Sequence, residues 1–291
     1  SFPDGLEQML SDIRRATRLL ARAPGFTFLM TMLLAVGIGT TTTVFSFFEA
    51  LFLRRLDARH PEELVRIVQR LPTVGTISSF PEAYYEALRE RATTLALIFG
   101  EAGHYDRYAI TVPAPAEAIP VHAVTPTFFA ALGVQPLYGR VLLAEDERRS
   151  ETPPAVLGYP LWRRRFGGDP GVVNGTTMAV NGRYFAIVGV MPQPFNGITI
   201  DTSADAWIPS NAYRTLVAPD GNGIVLELAG RLKPGFSPQQ AEAECRTIWH
   251  STMKEYYQSV ERRSEDETAQ LVSGGVFLDS LERGQSILRD S

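Results

Sequence analysis

The sequence predicts a mixed α/β (α+β) domain of short strands and helices, preceded by one membrane-spanning helix. Two observations lead to this fold class. The first is an uncharged run of 23 residues near the N-terminus, Phe26 to Phe48 (FTFLMTMLLAVGIGTTTTVFSFF). The second is the remainder of the chain, where short apolar runs of strand length alternate with helix-start and turn signals.

The uncharged run predicts a transmembrane helix over residues 26–53. At about 1.5 Å per residue such a helix is roughly 34 Å long, enough for a hydrocarbon core of about 30 Å. A cleaved signal peptide would have a shorter apolar core and small residues before its cleavage site, whereas Phe45, Phe47 and Phe48 stand here. Basic residues that reach the lipid headgroups are predicted on both sides: Arg14, Arg15, Arg18, Arg22, Arg54 and Arg55.

One side of the predicted span carries small and hydroxylated residues. Successive residues turn by 100° in a helix, which places on this side Thr31, Ala35, Gly39, Thr43 and Ser46. Small residues let helix backbones approach closely, so we expect this side to pack against other membrane helices. The alternative is a lone anchor that carries tolerated threonines. Glu49 is interpreted as a carboxylate at the membrane interface, with a proton or substrate relay as the alternative.

Residues 1–25 predict an amphipathic helix on the membrane surface. Apolar positions recur every three or four residues from Leu6 to Leu20, with arginines between them, and Pro24-Gly25 separates this helix from the span. Charge does not orient the span, because four arginines precede it and five follow it within twenty residues.

The mixed domain is predicted over residues 54–280. Strands are expected at residues 64–68, 119–124, 153–157, 224–232 and 271–278, with a strand pair over 97–112. Helices are expected from Ser79-Phe80-Pro81 to Arg91, from a cap at Thr125-Pro126 to Gly133, from Tyr159 to Phe166, and from Ser237-Pro238 to Ser259. Residues 261–268 are predicted to be a charged exposed stretch, and residues 281–291 the start of a helix that leads to a second span.

Asn181-Gly182 predicts a β-hairpin. This pair separates two apolar runs, residues 176–180 and 183–190. Asn-Gly favours the type I′ turn because both residues tolerate a positive φ.

Composition and motifs exclude several functions. The 291 residues carry a net charge of −4, so no basic excess indicates nucleic acid. No GxxxxGK[ST] phosphate loop is present, and the four histidines lack metal-ligand spacing, so neither a cofactor nor a metal is predicted.

Cys245 is the one cysteine and is interpreted as a buried, inert thiol. Arg163, Arg164 and Arg165 are interpreted as a solvated helix face, with headgroup or partner contacts as the alternative.

Several segments, in this order and spacing, resemble the MacB-type family of ABC transporter permeases, in particular the MacB-like permeases duplicated in Acidobacteria. The segments before residue 70 are DIRRATRLLARA (12–23), PGFT (24–27), LAVGIG (34–39), VFS (44–46), ALFLRRL (50–56) and PEELVRI (61–67). The later segments are VTPTFFAAL (124–132), GVQP (133–136), GR (139–140), LWRRRF (161–166), GDP (168–170), VNGRYFAIVGVMP (180–192) and RLKPG (231–235).

The resemblance implies a permease subunit with a cytoplasmic surface helix, a first span and a two-lobed periplasmic core domain in a bacterial inner membrane. It implies as partners an ABC ATPase, a second permease half or copy and the lipid bilayer, with periplasmic adaptor and outer-membrane proteins in efflux systems. The family's three later spans are missing from the sequence, which starts at Ser1 and stops at Ser291, so a fragment of a longer permease is expected.

Two other functional classes remain open from the sequence. A single-pass anchored ectodomain that senses or binds a ligand fits the same span. An anchored hydrolase would need a nucleophile and a base, and no local motif such as GxSxG joins the available serines and histidines. Drug, lipoprotein and peptide substrates, as well as mechanical signalling, are all compatible with the predicted architecture.

Overall fold

The structure is a computed structural model that describes residues 24–52, 56–71, 75–103, 107–113, 115–199, 204–217 and 223–285. The chain divides into two compact units, Ser1–Arg54 and Arg55–Ser291. The predicted surface helix over residues 1–25 lies almost wholly outside the described residues, and so do residues 286–291.

The first unit contains the apolar helix α1, Pro24–Phe52. Proline suits the first turn of a helix, because its missing N–H has no acceptor within the helix there. Among the described residues, α1 is the one helix long and apolar enough to cross a membrane, and the described side chains between Pro24 and Thr43 are not buried. The predicted helix over residues 26–53 is therefore present as a helix, with its last residue at Phe52.

The second unit contains thirteen described strands and six described helices. The strands are β1 Leu64–Leu71, β2 Gly75–Ile77, β3 Ser79–Pro81, β4 Leu95–Ala102, β5 Arg107–Val112, β6 Glu117–Val124, β7 Tyr138–Gly139, β8 Pro154–Leu157, β9 Thr177–Val180, β10 Arg183–Val190, β11 Ala206–Pro209, β12 Val225–Leu232 and β13 Gly275–Ser280. The helices are α2 Glu82–Arg91, α3 Phe128–Leu132, α4 Tyr159–Phe166, α5 Ser210–Val217, α6 Pro238–Ser259 and α7 Glu265–Ser273.

Six of the strands close into a ring, which we call the ring lobe. The pairings run β11-β8-β10-β9-β5-β6, and β6 pairs with β11 again. Residues 117–120 of β6 pair with β5, and residues 121–124 pair in parallel with β11. Closure removes free strand edges, and the apolar residues between the strands fill the interior.

Four strands form an open antiparallel sheet in the order β4-β12-β1-β13, which we call the sheet lobe. Side chains alternate across its strands, so Ile98 packs in one core cluster and the adjacent Phe99 in another. Helices α2, α6 and α7 belong to the sheet lobe, where the rings of Tyr84 (α2) and Trp249 (α6) meet edge to face at 4.9 Å. Strand β4 of the sheet lobe pairs with β6 of the ring lobe at two residue pairs, Glu101↔Val124 and Ala102↔Ala123.

The predicted hairpin is confirmed. Strands β9 and β10 pair from Val180↔Arg183 onward. Asn181 and Gly182 have φ values of 47° and 81°, as a type I′ turn requires. Ser237 also caps α6 as predicted, accepting a hydrogen bond from the backbone of Gln240, whose side chain bonds back to Ser237.

Three predictions in the first half of the domain are wrong in detail. Strands β4 and β5 do not pair with each other, because β6 pairs with both of them. Residues 79–81 form a strand that pairs with β12, so the helix begins only at Glu82. Thr125 does not cap α3: its hydroxyl accepts a hydrogen bond of 2.9 Å from the Gly100 amide, and Thr127 is the residue that precedes the helix.

Two predictions near the C-terminus are also wrong. Residues 265–273 form α7, begun by a capping box between Ser264 and Glu267, so the charged stretch is partly helical and the last strand starts at Gly275. Residues 281–285 form a turn and one bridge to Thr199 instead of the start of a helix, because their backbone groups bond to other parts of the domain.

The structure tests the predictions made for Cys245 and for the arginines of α4. Cys245 is fully buried in α6, and burial, followed by the carboxylates of Glu244 and Glu242, raises its pKa to about 12. The predicted burial of this thiol is therefore confirmed. Two of the three arginines of α4 depart from the predicted solvated face: Arg164 pairs with Glu117 and Asp205, and Arg165 with Glu117. Arg163 is exposed, as predicted.

Candidate functional site

The two ends of the domain meet in space. Residues 56–63, the N-terminal connector, follow α1 in the chain, and residues 281–285, the C-terminal connector, follow β13. The Leu56 amide donates a hydrogen bond of 3.0 Å to the Glu282 carbonyl, and the Leu281 amide donates one of 2.9 Å to the Leu64 carbonyl. These two bonds join the connectors in one hydrogen-bonded junction.

Arg231, near the end of β12, holds the N-terminal connector. Its guanidinium donates to the Ala131 carbonyl from Nε at 2.9 Å and from Nη2 at 2.7 Å. Its Nη1 donates to the His60 carbonyl at 3.0 Å and to the Glu63 carboxylate at 2.7 Å, and Nη2 also contacts the Arg59 carbonyl. The planar guanidinium offers five donors in a fixed fork, so one side chain satisfies acceptors on α3 and on the connector together.

Helix α3 ends directly against the same connector. Gly133 follows the helix with a φ of 68°, which is the left-handed C-terminal cap that glycine favours. The Arg59 amide donates a hydrogen bond of 2.8 Å to the last helical carbonyl, Leu132. A Cβ on Gly133 would lie 2.6 Å from the Arg59 Cβ, so glycine is required here by conformation and by space.

A cluster of buried aromatic rings lies in the same core as both connectors. Phe128 contacts Phe99 and Phe129, with ring centroids 5.6 and 5.2 Å apart. Phe195 and Trp207 continue the cluster from the ring lobe, 5.3 Å apart. Leu56 and Leu281 are buried in the same cluster, so each connector is anchored by a leucine in a core that both lobes share.

The chemistry of the junction is structural. Its Arg231–Glu63 salt bridge has one largely buried and one half-exposed side chain. Within the described parts of the chain, no three His, Cys, Asp or Glu side chains group closely enough to hold a metal ion. The arrangement can hold two chain segments together and carry force between them.

The predicted site residues fall in α1 or outside the described residues. Thr31, Ala35, Gly39, Thr43 and Ser46 all lie in α1. The hydroxyls of Thr31 and Thr43 donate bonds of 2.8 Å to the carbonyls four residues earlier, so they leave only acceptor lone pairs for a neighbouring helix. A Cβ on Gly39 would meet no atom within 4 Å. The six predicted membrane-interface arginines lie outside the described residues.

The connector junction is the functional feature that the sequence reading missed. A signal was present, because the segments that carry the family resemblance converge on it: residues 50–56, 61–67, 124–132 and 231–235. Arg231 stands in the last of these segments, and its acceptors Ala131 and Glu63 stand in two others. Sequence spacing alone gives no reason to bring these segments together, since each lies in a separate element.

A family model described as the MacB-like periplasmic core domain matches residues 27–248. The chain belongs to this family. The MacB-like core domain is a component of transporter permeases. Together with α1, the match describes a membrane-anchored periplasmic domain of an ABC-type transporter permease family.

Solved structures show the same fold. A domain of a protein described as a permease, from Porphyromonas gingivalis, is 18% identical with a TM-score of 0.53, covering 80% of this chain and 97% of that one. The periplasmic region of MacB from Actinobacillus actinomycetemcomitans is 13% identical with a TM-score of 0.52, covering 75% and 89%. The extracellular domain of the noncanonic ABC-type transporter YknZ from Gram-positive bacteria is 9% identical with a TM-score of 0.52, covering 74% and 99%. No protein of curated function matches the sequence significantly.

Proposed function

We propose that this protein is a permease subunit that transmits the ATP-driven motion of a partner ATPase to its MacB-like periplasmic domain, for export or efflux. The observation that carries the proposal is the hydrogen bond between Leu56 and Glu282, which joins the two connectors where the chain enters and leaves the domain. A domain joined to membrane helices at one point moves as those helices move.

The structure supports force transmission through the N-terminal connector. A displacement of α1 along the chain direction reaches Leu56 first, and Leu56 is buried in the aromatic core. Arg231 then links the connector to α3 and β12 through directional bonds. Close-packed cores resist continuous deformation and switch between discrete arrangements, so the displacement would move the lobes as bodies.

The proposal assigns ATP hydrolysis to another chain. The partner is an ABC ATPase on the cytoplasmic side of a bacterial inner membrane, and a second permease half or copy packs against the α1 side that carries Thr31, Ala35 and Gly39. Periplasmic adaptor and outer-membrane proteins would join in an efflux system.

The test is purification of the tagged chain from its native membrane in a mild detergent, followed by measurement of ATPase turnover. We expect ATP turnover in the native complex and none after the partner is stripped with a harsher detergent. Gly39→Leu is expected to reduce recovery of partner subunits, since a larger side chain blocks close helix approach. Val36→Leu, on the other side of α1, is the matched control.

Two results would contradict the proposal. Robust turnover by the stripped, pure chain would place hydrolysis in this protein. A chain that purifies alone from mild detergent, with recovery unaffected by Gly39→Leu, would favour the anchored sensor or binding module.

A further inference from the structure

Gln285, at the end of the C-terminal connector, bonds to both lobes. Its backbone amide donates a hydrogen bond of 2.8 Å to the Ile198 carbonyl, and it forms a parallel bridge with Thr199, in the segment between β10 and β11 of the ring lobe. Its side-chain amide donates to the carboxylate of Glu227 on β12, in the sheet lobe. Gln285 is 7% exposed, so these bonds are made in the interior.

The acceptor of this bond lies beside a second carboxylate. Glu227 is directly opposite Glu101 in the antiparallel pair of β12 and β4, which puts both side chains on one face of the sheet. Glu101 is 1% exposed and bonds to the fully buried His122 on β6. Like charges directly opposite each other destabilise a sheet, so each carboxylate depends on its donors.

The two carboxylates contact different hydrogen-bond donors. His122 on β6 bonds to the Glu101 carboxylate on β4, where these two strands share only two residue pairs. The Gln285 side-chain amide donates a hydrogen bond to the Glu227 carboxylate, and the Ser78 hydroxyl donates a second one of 3.1 Å. If Gln285 is displaced, Glu227 loses a hydrogen-bond donor beside Glu101. The bonds that join Gln285 to Ile198 and Thr199 of the ring lobe are lost at the same time.

We propose that Gln285 is a latch between the two lobes, released when the C-terminal connector is displaced. This inference rests on the proposed function for the source of the displacement. Gln285 acts as a positioning residue: it neutralises no charge, but it orders Glu227 and ties the loop before β11 to the sheet lobe. Its release loosens the β4–β6 join, because the Glu101–His122 pair then faces a carboxylate that lacks one of its donors.

Hydrogen exchange on the full chain in detergent micelles, followed by mass spectrometry, tests the latch. We expect Gln285→Ala to raise amide exchange about five- to tenfold in residues 195–199 and at the β4–β6 join, as loss of a local hydrogen-bonded contact does. Gln285→Glu has nearly the same size but places a carboxylate against Glu227, so we expect a larger increase. Adding Glu227→Gln to Gln285→Glu should restore slow exchange. Gln258→Ala, at an exposed position of α6, is the control.

Three results would overturn the latch. One is unchanged exchange in Gln285→Ala at the β4–β6 join. Another is equal exchange in Gln285→Glu and the wild-type chain, which would show that only side-chain volume matters. The third is an equal rise over the whole domain, which would show general destabilisation. None of these measurements needs the ATPase, so failure of the latch and failure of the proposed function are separate results.

Discussion

The backbone amide of Leu56 donates a hydrogen bond of 3.0 Å to the carbonyl of Glu282, joining residues at opposite ends of the domain sequence. The neighbouring bond from Leu281 to Leu64 makes the contact a short two-point junction. Two hydrogen bonds fix the direction of both connectors, whereas a single hydrogen bond would let the connectors rotate about it.

Leu281→Ala should lower the free energy of unfolding by about 2–5 kcal/mol. Leu281 is fully buried in the shared aromatic core, so truncation removes apolar burial and leaves a cavity. Urea unfolding monitored by tryptophan fluorescence measures this, since Trp162, Trp207 and Trp249 are all buried. Leu137→Ala, at a position 43% exposed, should change stability little. Equal effects of the two substitutions would show that Leu281 is not a core residue.

Arg231→Ala should cost about 3 kcal/mol of unfolding free energy, because acceptors on α3 and on the N-terminal connector lose a charged donor together. Arg231→Lys should recover only part of the loss, since an ammonium group cannot reproduce the planar fork. The same urea titration applies, with the exposed Arg148→Ala as the matched control. Full recovery by lysine would mean that charge alone holds the connector.

Gly182→Ala should lower stability by about 1 kcal/mol. Gly182 has a φ of 81°, and a Cβ there meets no atom within 4 Å, so the cost arises from backbone conformation alone. Gly223→Ala adds a methyl group in similarly open space without a positive φ and should be neutral or slightly stabilising. The difference between the two urea midpoints measures the strain, and identical midpoints would argue against the type I′ turn.

Glu244 should make stability depend on pH. Burial raises its pKa, but hydrogen bonds from the amides and hydroxyls of Thr93 and Thr94, between 2.5 and 2.9 Å, outweigh burial and hold the pKa below its ordinary 4.5. Since the folded pKa is depressed, the stabilisation is present above pH 4.5 and is lost as the pH falls through the folded pKa.

Glu244→Gln should therefore destabilise the protein by about 1–3 kcal/mol at pH 7. The difference from the wild-type chain should shrink as the pH is lowered below 4.5. Urea midpoints between pH 3 and 7 would show this, with the exposed Glu255→Gln on α6 as the control. A difference that stays constant over this range would show that the charge of Glu244 does not contribute.

Local signals in the sequence predicted much of the fold. The Asn181-Gly182 turn and the Ser237 cap depend on a few adjacent residues, whose side chains bond to their own backbone or permit a positive φ. The helix over residues 265–273 is not predicted, although Ser264 and Glu267 form a capping box.

The candidate site needed long-range information. Arg231 and Ala131 lie 100 residues apart, and no periodicity relates them. Likewise, β4 and β5 looked like a hairpin because they are neighbours in sequence. Their actual partner is β6, a choice that depends on which pairing also closes the ring lobe.

By itself the sequence determined an apolar helix long enough to span a membrane, the Asn181-Gly182 turn, the Ser237 cap, and a mixed domain after the helix. These follow from hydrophobic length, side-chain periodicity and local hydrogen bonding, which act over a few residues. The tertiary structure alone decided that the domain's two ends meet at Leu56 and Glu282 and that Gln285 joins the lobes. Those contacts arise because burying the aromatic core brings distant segments together, and their backbone groups must then find partners away from water.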